Sequence, residues 1–241
     1  MTSLNRRRFA TIFGASALFP IVTSAQDHGG HHGDHESEST PEVLACSFDP
    51  YATPTIVPYE SDIPFDQAYI DTMIPHHNSV VALATEALDV LEDERLVTIA
   101  QAVIDTQPGE VEQLKAFREE WYGDAEPAEM TDEMMMVTMG DMDAMGGCTG
   151  QHGMEMDLGS HEDMMNLMDS EWILEEFAKA DNKDLGFIDI VIPHHEMAVH
   201  QSYVGLQLAE HEELRTLCQE VIDAQEAEIK ELKLIREDLA D

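Results

Sequence analysis

The tetrapeptide Ile-Pro-His-His occurs twice in this chain, in TMIPHHNSVVAL and in IVIPHHEMAVHQ, putting His76-His77 and His194-His195 118 residues apart. The surroundings repeat at the same offset. Asp66 maps onto Asp184, Ile70 onto Ile188, Asp71 onto Asp189, Gln107 onto Gln225 and Glu110 onto Glu228. A segment duplicated with its polar residues in register is one structural unit used twice. The fold must therefore be built from two like halves.

Each half reads as a pair of helices. Steps of four and three along the second helix of the first copy collect Leu96, Ala100, Val103, Gln107, Glu110, Leu114, Phe117 and Trp121. The same steps in the second copy collect Leu214, Cys218, Val221, Gln225, Glu228, Leu232, Ile235 and Leu239. Both stripes are apolar except at one Gln and one Glu. An unpaired carboxylate facing a core costs several kcal/mol or is neutralised, so the pattern demands a partner. The first helix of each copy supplies one, because its inward stripe runs Ile70, Met73, His77, Val80, Ala84, Leu91 in one and Ile188, Val191, His195, Ala198, Ser202 in the other. The reading is an all-α bundle of two helical hairpins, each bringing imidazole, carboxylate and amide together inside. Two uses fit that arrangement: a metal site, or polar fasteners that fix helix register. In the second reading Pro75 and Pro193 kink their helices and free a carbonyl for a histidine. The doubled histidine favours metal, since one would serve a fastener.

The rest of the chain divides around these repeats. Residues 1–25 carry Arg6-Arg7-Arg8, a short apolar run and Thr23-Ser24-Ala25, the pattern of a twin-arginine export signal. This predicts a periplasmic or extracellular protein with no stable membrane insertion after cleavage, as no later stretch is apolar enough to span a bilayer. Residues 26–63 are a His- and Pro-rich acidic tail and linker that cannot bury a core. The helical region is 64–241: repeat 1 over 64–122, a Met-rich connection over 123–182 with a short helix at WILEEFAK, and repeat 2 over 183–241. With 50 Asp+Glu against 12 Lys+Arg, nucleic acid is excluded as a partner, since phosphate contacts need clustered cations. Three cysteines, Cys46, Cys148 and Cys218, do not make a disulfide scaffold. Cys46 and Cys148 are left as either a bridge or free thiols, and Cys218 lies on an apolar stripe.

The connection holds most of the 15 methionines. Thioether sulfur suits Cu(I), and imidazole suits copper, zinc and iron. Gly and Asp interrupt any apolar stripe there, which favours soft-metal capture by Met134, Met135, Met139, Met142, Met145, Cys148, Met154 and Met156 over a hydrophobic cover. Cleavage after Ala25 exposes Gln26-Asp27-His28, whose amine, amides and third-position imidazole form a square-planar set for Cu(II) or Ni(II).

The motifs resemble those of the DUF305 family: an Asp, an aromatic, Met-Ile-x-His-His-x-x-Ala, then Gln-x-x-Glu-Ile, in two copies. The matching residues are Asp66, Tyr69, Met73, Ile74, His76, His77, Gln107 and Glu110, then Asp184, Phe187, Ile192, His194, His195, Ala198, Gln225, Glu228 and Ile229. Departures are Val191 for the motif methionine, Val80 for the alanine, Val111 for the isoleucine, and Leu114 and Leu232 for a following methionine. The resemblance implies a ferritin-like four-helix bundle, exported, with copper binding or copper tolerance as its role.

These readings converge on a copper-sequestering protein, Cu(I) favoured over Cu(II), Zn or Fe, that keeps the metal or hands it to a delivery partner. His76, His77, Glu110, His194, His195 and Glu228 are the candidate ligands, with Met73, Gln107, Met197 and Gln225 supporting. The competing enzyme reading is a dinuclear-metal oxidase. It wants four carboxylates and Glu-x-x-His pairs, yet no Glu stands three residues before either histidine pair, and only Asp71 and Asp189 offer further carboxylates. A third reading is a partner-binding bundle without metal.

Overall fold

The computed structural model describes residues 56–140 and 161–240. Among them every regular element is helical: α1 Phe65–Ala87, α2 Glu94–Tyr122, α3 Asp132–Met139, α4 His161–Asn166, α5 Ser170–Lys179, α6 Lys183–Leu208 and α7 Glu212–Ala240. The starts are capped by side chains the sequence places there. Asp93 accepts from the Arg95 N–H, Thr131 from Met134, Asp169 from Glu171 and Trp172, and Asn182 from Leu185. At the end of α2, Gly123 takes φ 84° and its N–H returns to the Glu119 carbonyl. Pro75 and Pro193 lie inside α1 and α6, which run on through them.

The four long helices form two hairpins, α1 with α2 and α6 with α7. The hairpins meet along α1–α6 and α2–α7, and α3 and α5 pack across both α1 and α6. Gly205 permits close approach of α6 to α7, because a Cβ there would stand 2.5 Å from Cys218 Sγ. No helix among the described residues is long and apolar enough to cross a membrane.

Two apolar clusters fill the interior. One takes Val80 to Leu91, Leu96 to Val103, Phe187 to Ile192, Met197, Leu232 and Ile235. The other takes Tyr69 to Ile74, Val111, Leu114, Ala198 and Leu214 to Val221. Near the boundary between the clusters each long helix carries a polar pair: His76-His77, Gln107 with Glu110, His194-His195, and Gln225 with Glu228. The predicted stripes are buried except at Glu110, Glu228, Phe117 and Trp121, which are partly exposed, and at Leu239, which is exposed because it lies in the last turn of α7, beyond the clusters.

The Met-rich connection holds two short helices besides the one predicted at WILEEFAK. Residues around Thr131 and Asp163 form the short helices α3 and α4, and Met135 and Met139 are fully buried in the first cluster with Met164 and Met168 close to it. Gly and Asp break the stripe as read along the sequence, but Thr131 caps a short helix whose one apolar face is sufficient to dock.

Candidate metal centre

The polar layer is organised about a pseudo-two-fold relation between the repeats. His76 Nε2 donates to the His194 carbonyl at 2.9 Å, and His194 Nε2 donates to the His76 carbonyl at 3.1 Å. The two rings lie against each other at a 35° tilt, centroids 3.6 Å apart. Neither carbonyl is the one a proline frees, which belongs to the residue four before it; the bonds cross between repeats instead. Ser79 is 3.0 Å from His194 Nε2 and also contacts the carbonyls of His76 and Leu167. It links the Met-rich connection to the histidine layer.

The second histidine of each pair faces its own hairpin. His77 Nε2 lies 2.7 Å from Glu110 Oε2, and His195 Nε2 lies 2.8 Å from Glu228 Oε2. The distances match, but only the first has hydrogen-bond alignment; at His195 the carboxylate approaches off the N–H direction. An oxygen at that distance from a ring nitrogen needs a proton between them, so the contact is of the same kind. All four imidazoles are fully buried, while Glu110 and Glu228 keep 23% and 21% of their side chains exposed. Each carboxylate therefore spans from solvent to a buried ring.

Tautomers follow from the partners. A carbonyl or carboxylate only accepts, so each Nε2 carries a proton, and in the neutral ring Nδ1 bears the lone pair. Nδ1 of His76, His77, His194 and His195 finds no hydrogen-bond partner, and neither do the side-chain oxygens of Gln107 and Gln225. Burial pushes His76 and His194 well below the ordinary histidine range, reinforced by His77 at the first and by His76 at the second, so both rings are neutral. With neutral rings, these six atoms around the histidine layer are acceptors without a partner, in two symmetric sets. Such an arrangement is costly unless something electron-poor satisfies it.

The remaining candidates are dispersed. Met73 and Met197 are fully buried, on opposite sides of the histidine layer. Met134 packs with Ala68 and Val137, and Met135 Sδ is 3.6 Å from Gln201 Nε2. Gln26, Asp27, His28, Met142, Met145, Cys148, Met154 and Met156 lie outside the described residues, as does Cys46. Asp71 and Asp189 are engaged elsewhere, by Arg118 and Arg236. Cys218 is a buried free thiol, raised to about 12 chiefly by burial. Among the described residues no three or more His, Cys, Asp or Glu side chains converge as a group that could hold one metal ion. Sequence reading missed Ser79, whose contacts with Leu167 and His194 are distant along the chain. It also missed His200 and Gln201, which hold α3 through the Met139 carbonyl at 2.9 Å and Thr138 at 2.8 Å.

Residues 66–236 match the family model described as Domain of unknown function (DUF305). The chain belongs to the DUF305 family. The solved structures similar to it include CopM in the Cu(I)-bound form, with TM-score 0.52 and 26% identity over 73% of this chain and 98% of that one. CopM in the Cu(II)-bound form gives 0.53 and 28% over 72% and 97%, and the Ag-bound form obtained by co-crystallization gives 0.51 and 27% over 72% and 96%. No curated protein matches. The DUF305 match spans both Ile-Pro-His-His copies and both Gln-x-x-Glu pairs.

Proposed function

We propose that this protein is an exported copper-binding protein that sequesters the metal, Cu(I) in preference to Cu(II), through the paired histidines of a ferritin-like four-helix bundle. The observation that carries the reading is the set of four buried, donor-less Nδ1 atoms. Neutral imidazole nitrogen is a good ligand for copper. A fastener would have both ring nitrogens engaged; here only one of each pair is. The fit is further supported by structures of CopM bearing Cu(I), Cu(II) and Ag. Glu110 and Glu228 orient His77 and His195 and offer a negative charge at the edge of each site. The thioethers of the connection are the soft ligands by which metal is first captured, and the His-rich tail adds a Cu(II) site at Gln26-Asp27-His28. The twin-arginine pattern puts this work outside the cytoplasm.

The test is copper content and Cu(I) affinity of the wild type beside a variant with His76, His77, His194 and His195 all changed to Ala, with helicity measured in parallel. Loss of the tight sites from a still-helical variant supports the reading. Equal binding by both proteins assigns copper to the connection or tail and leaves the histidines as fasteners.

A further inference from the structure

The copper reading leaves a problem of access. All four imidazoles of the layer are buried, and so are the described thioethers assigned to capture, Met134, Met135 and Met139, at 7%, 0% and 0% exposure. Ligands so placed take up an ion only when some element moves. Resting on that reading, we propose that the segment from α3 to α5 is a strap that lifts from the α1–α6 face to admit and release copper, and closes over the layer between transfers.

The first support is where the repeat breaks its own symmetry. The strap lies between the two copies, so a residue that serves it has nothing to serve at the equivalent position. The polar residues that hold it follow this rule. Ser79 meets the Leu167 carbonyl at 3.0 Å, His200 the Met139 carbonyl at 2.9 Å, and Gln201 the Thr138 hydroxyl at 2.8 Å. At the 118-residue offset their equivalents are Met197, Ala82 and Leu83, none of which has a side-chain N–H or O–H.

The second is that these bonds are reversible. Ser79 has one hydroxyl proton for two carbonyls, that of Leu167 across the interface and that of His76 on its own helix at 2.7 Å. Release of Leu167 leaves the hydroxyl bonded to His76. Water replaces the partners of Met139 and Thr138 at little net loss. The helix α3 is eight residues long, too short to keep its shape away from the helices beneath it. The long helices are tied into hairpins by broad apolar faces, so the strap is the element that moves most easily.

The third is position. Ser79 Oγ also stands 3.0 Å from His194 Nε2, so the Leu167 backbone is one side chain away from the layer. Lifting the strap bares thioether sulfur and the flank of the layer together.

The experiment reads opening first without copper. Full-length metal-free protein is treated with dilute hydrogen peroxide, and sulfoxide at Met135 and Met139 is followed by peptide mass spectrometry at several urea concentrations below the unfolding transition. A strap that opens locally gives rates nearly independent of urea, whereas global unfolding gives rates that climb steeply with it. Two variants move the opening in opposite directions. Gln201→Ala removes a tether and should speed oxidation about fivefold. Thr138→Val combined with Gln201→Leu replaces the polar pair by apolar side chains of like size and should slow it. Stopped-flow transfer of Cu(I) from a chromophoric chelator should follow the same order, fastest in Gln201→Ala and slowest in the double variant, with equal equilibrium affinity and stoichiometry in all three proteins. Should Gln201→Ala fail to fold, the double variant against the wild type decides. Oxidation through global unfolding alone makes the segment a fixed cover and overturns the inference. So does Cu(I) uptake at one rate in all variants, which puts the route elsewhere. Both results leave histidine-bound copper standing. Absence of tight Cu(I) binding in every protein sinks the copper reading and takes this inference with it.

Discussion

His76 and His194 are weak bases placed where a proton has no acceptor. Burial lowers both well below 6.5, their value in an unfolded chain. Between the two values the unfolded chain binds protons that the folded one refuses, so stability rises with pH there. It is complete above about pH 6.5 and is lost as pH falls below it. Each histidine contributes at most about 1.4 kcal/mol per pH unit across that window. Metal-free protein should therefore have a lower urea midpoint at pH 5.5 than at pH 7.5, and the drop should shrink in His76→Gln. An equal drop in that variant would clear the histidine of responsibility. Arginine offers a cleaner comparison, because Arg118–Asp71 and Arg236–Asp189 are the same pair at the repeat offset. The first is 8% and 0% exposed and the second 43% and 62%. Arg118→Ala strands a buried carboxylate and should cost about 3–5 kcal/mol, whereas Arg236→Ala should cost below about 1 kcal/mol. Denaturant melts of the two variants decide it, and similar losses would refute the burial argument.

Between helices, the repeat performs an exchange. Asp66, opening α1, accepts from the N–H groups of Glu210 and His211 in the turn before α7. Asp184, opening α6, accepts from Glu92 and Asp93 in the turn before α2. Each repeat caps the other's hairpin. Asp66 also meets His211 Nδ1 at 2.6 Å, and that ring stacks on Trp121; Asp93, the equivalent of His211, offers Asp184 no such partner. Asp66→Ala should thus cost about 2–3 kcal/mol and Asp184→Ala about 1–2 kcal/mol. Hydrogen exchange should speed at Glu210 and His211 in the first variant and at Glu92 and Asp93 in the second, each in the repeat that was not mutated. Faster exchange only near the mutation would contradict the reciprocal cap. The sequence displayed Asp66 and Asp184 as a repeated pair but not this use, since caps on distant turns have no local signature. The His77–Glu110 contact was legible, because 3.6-residue periodicity puts both side chains on facing stripes. The His76–His194 exchange was not: sequence spacing says which way a side chain faces along its own helix, never which backbone it meets on another. For α3 the periodicity simply ran out, as eight residues are too few to establish a stripe.

At the scale of the molecule, a set of buried or partly buried polar links runs between halves. The histidine–carbonyl pair, the aspartate caps and the Tyr69–Ser202 hydroxyl contact at 2.8 Å all join residues from different repeats, and α3 of the connection packs on α6. A lone hairpin would expose both apolar clusters on one side and leave its buried histidine without an acceptor. Folding of either half should therefore depend on the other, despite their likeness in sequence. Expressed apart, chains ending and beginning within 141–160 should each lack a cooperative thermal transition. Mixed in equal amounts, they should recover helicity and the upfield methyl signals of a packed interior. Repeat 1 could alternatively dimerise with itself, since it carries His76, Asp66 and the 92–93 turn, all the elements of the exchange. That outcome is opposed by Tyr69, whose partner Ser202 is replaced by Ala84 at the equivalent position. Sedimentation of repeat 1 alone distinguishes the cases. A stable helical homodimer would mean that the halves remain interchangeable, and that the polar differences between them have not committed each to its neighbour.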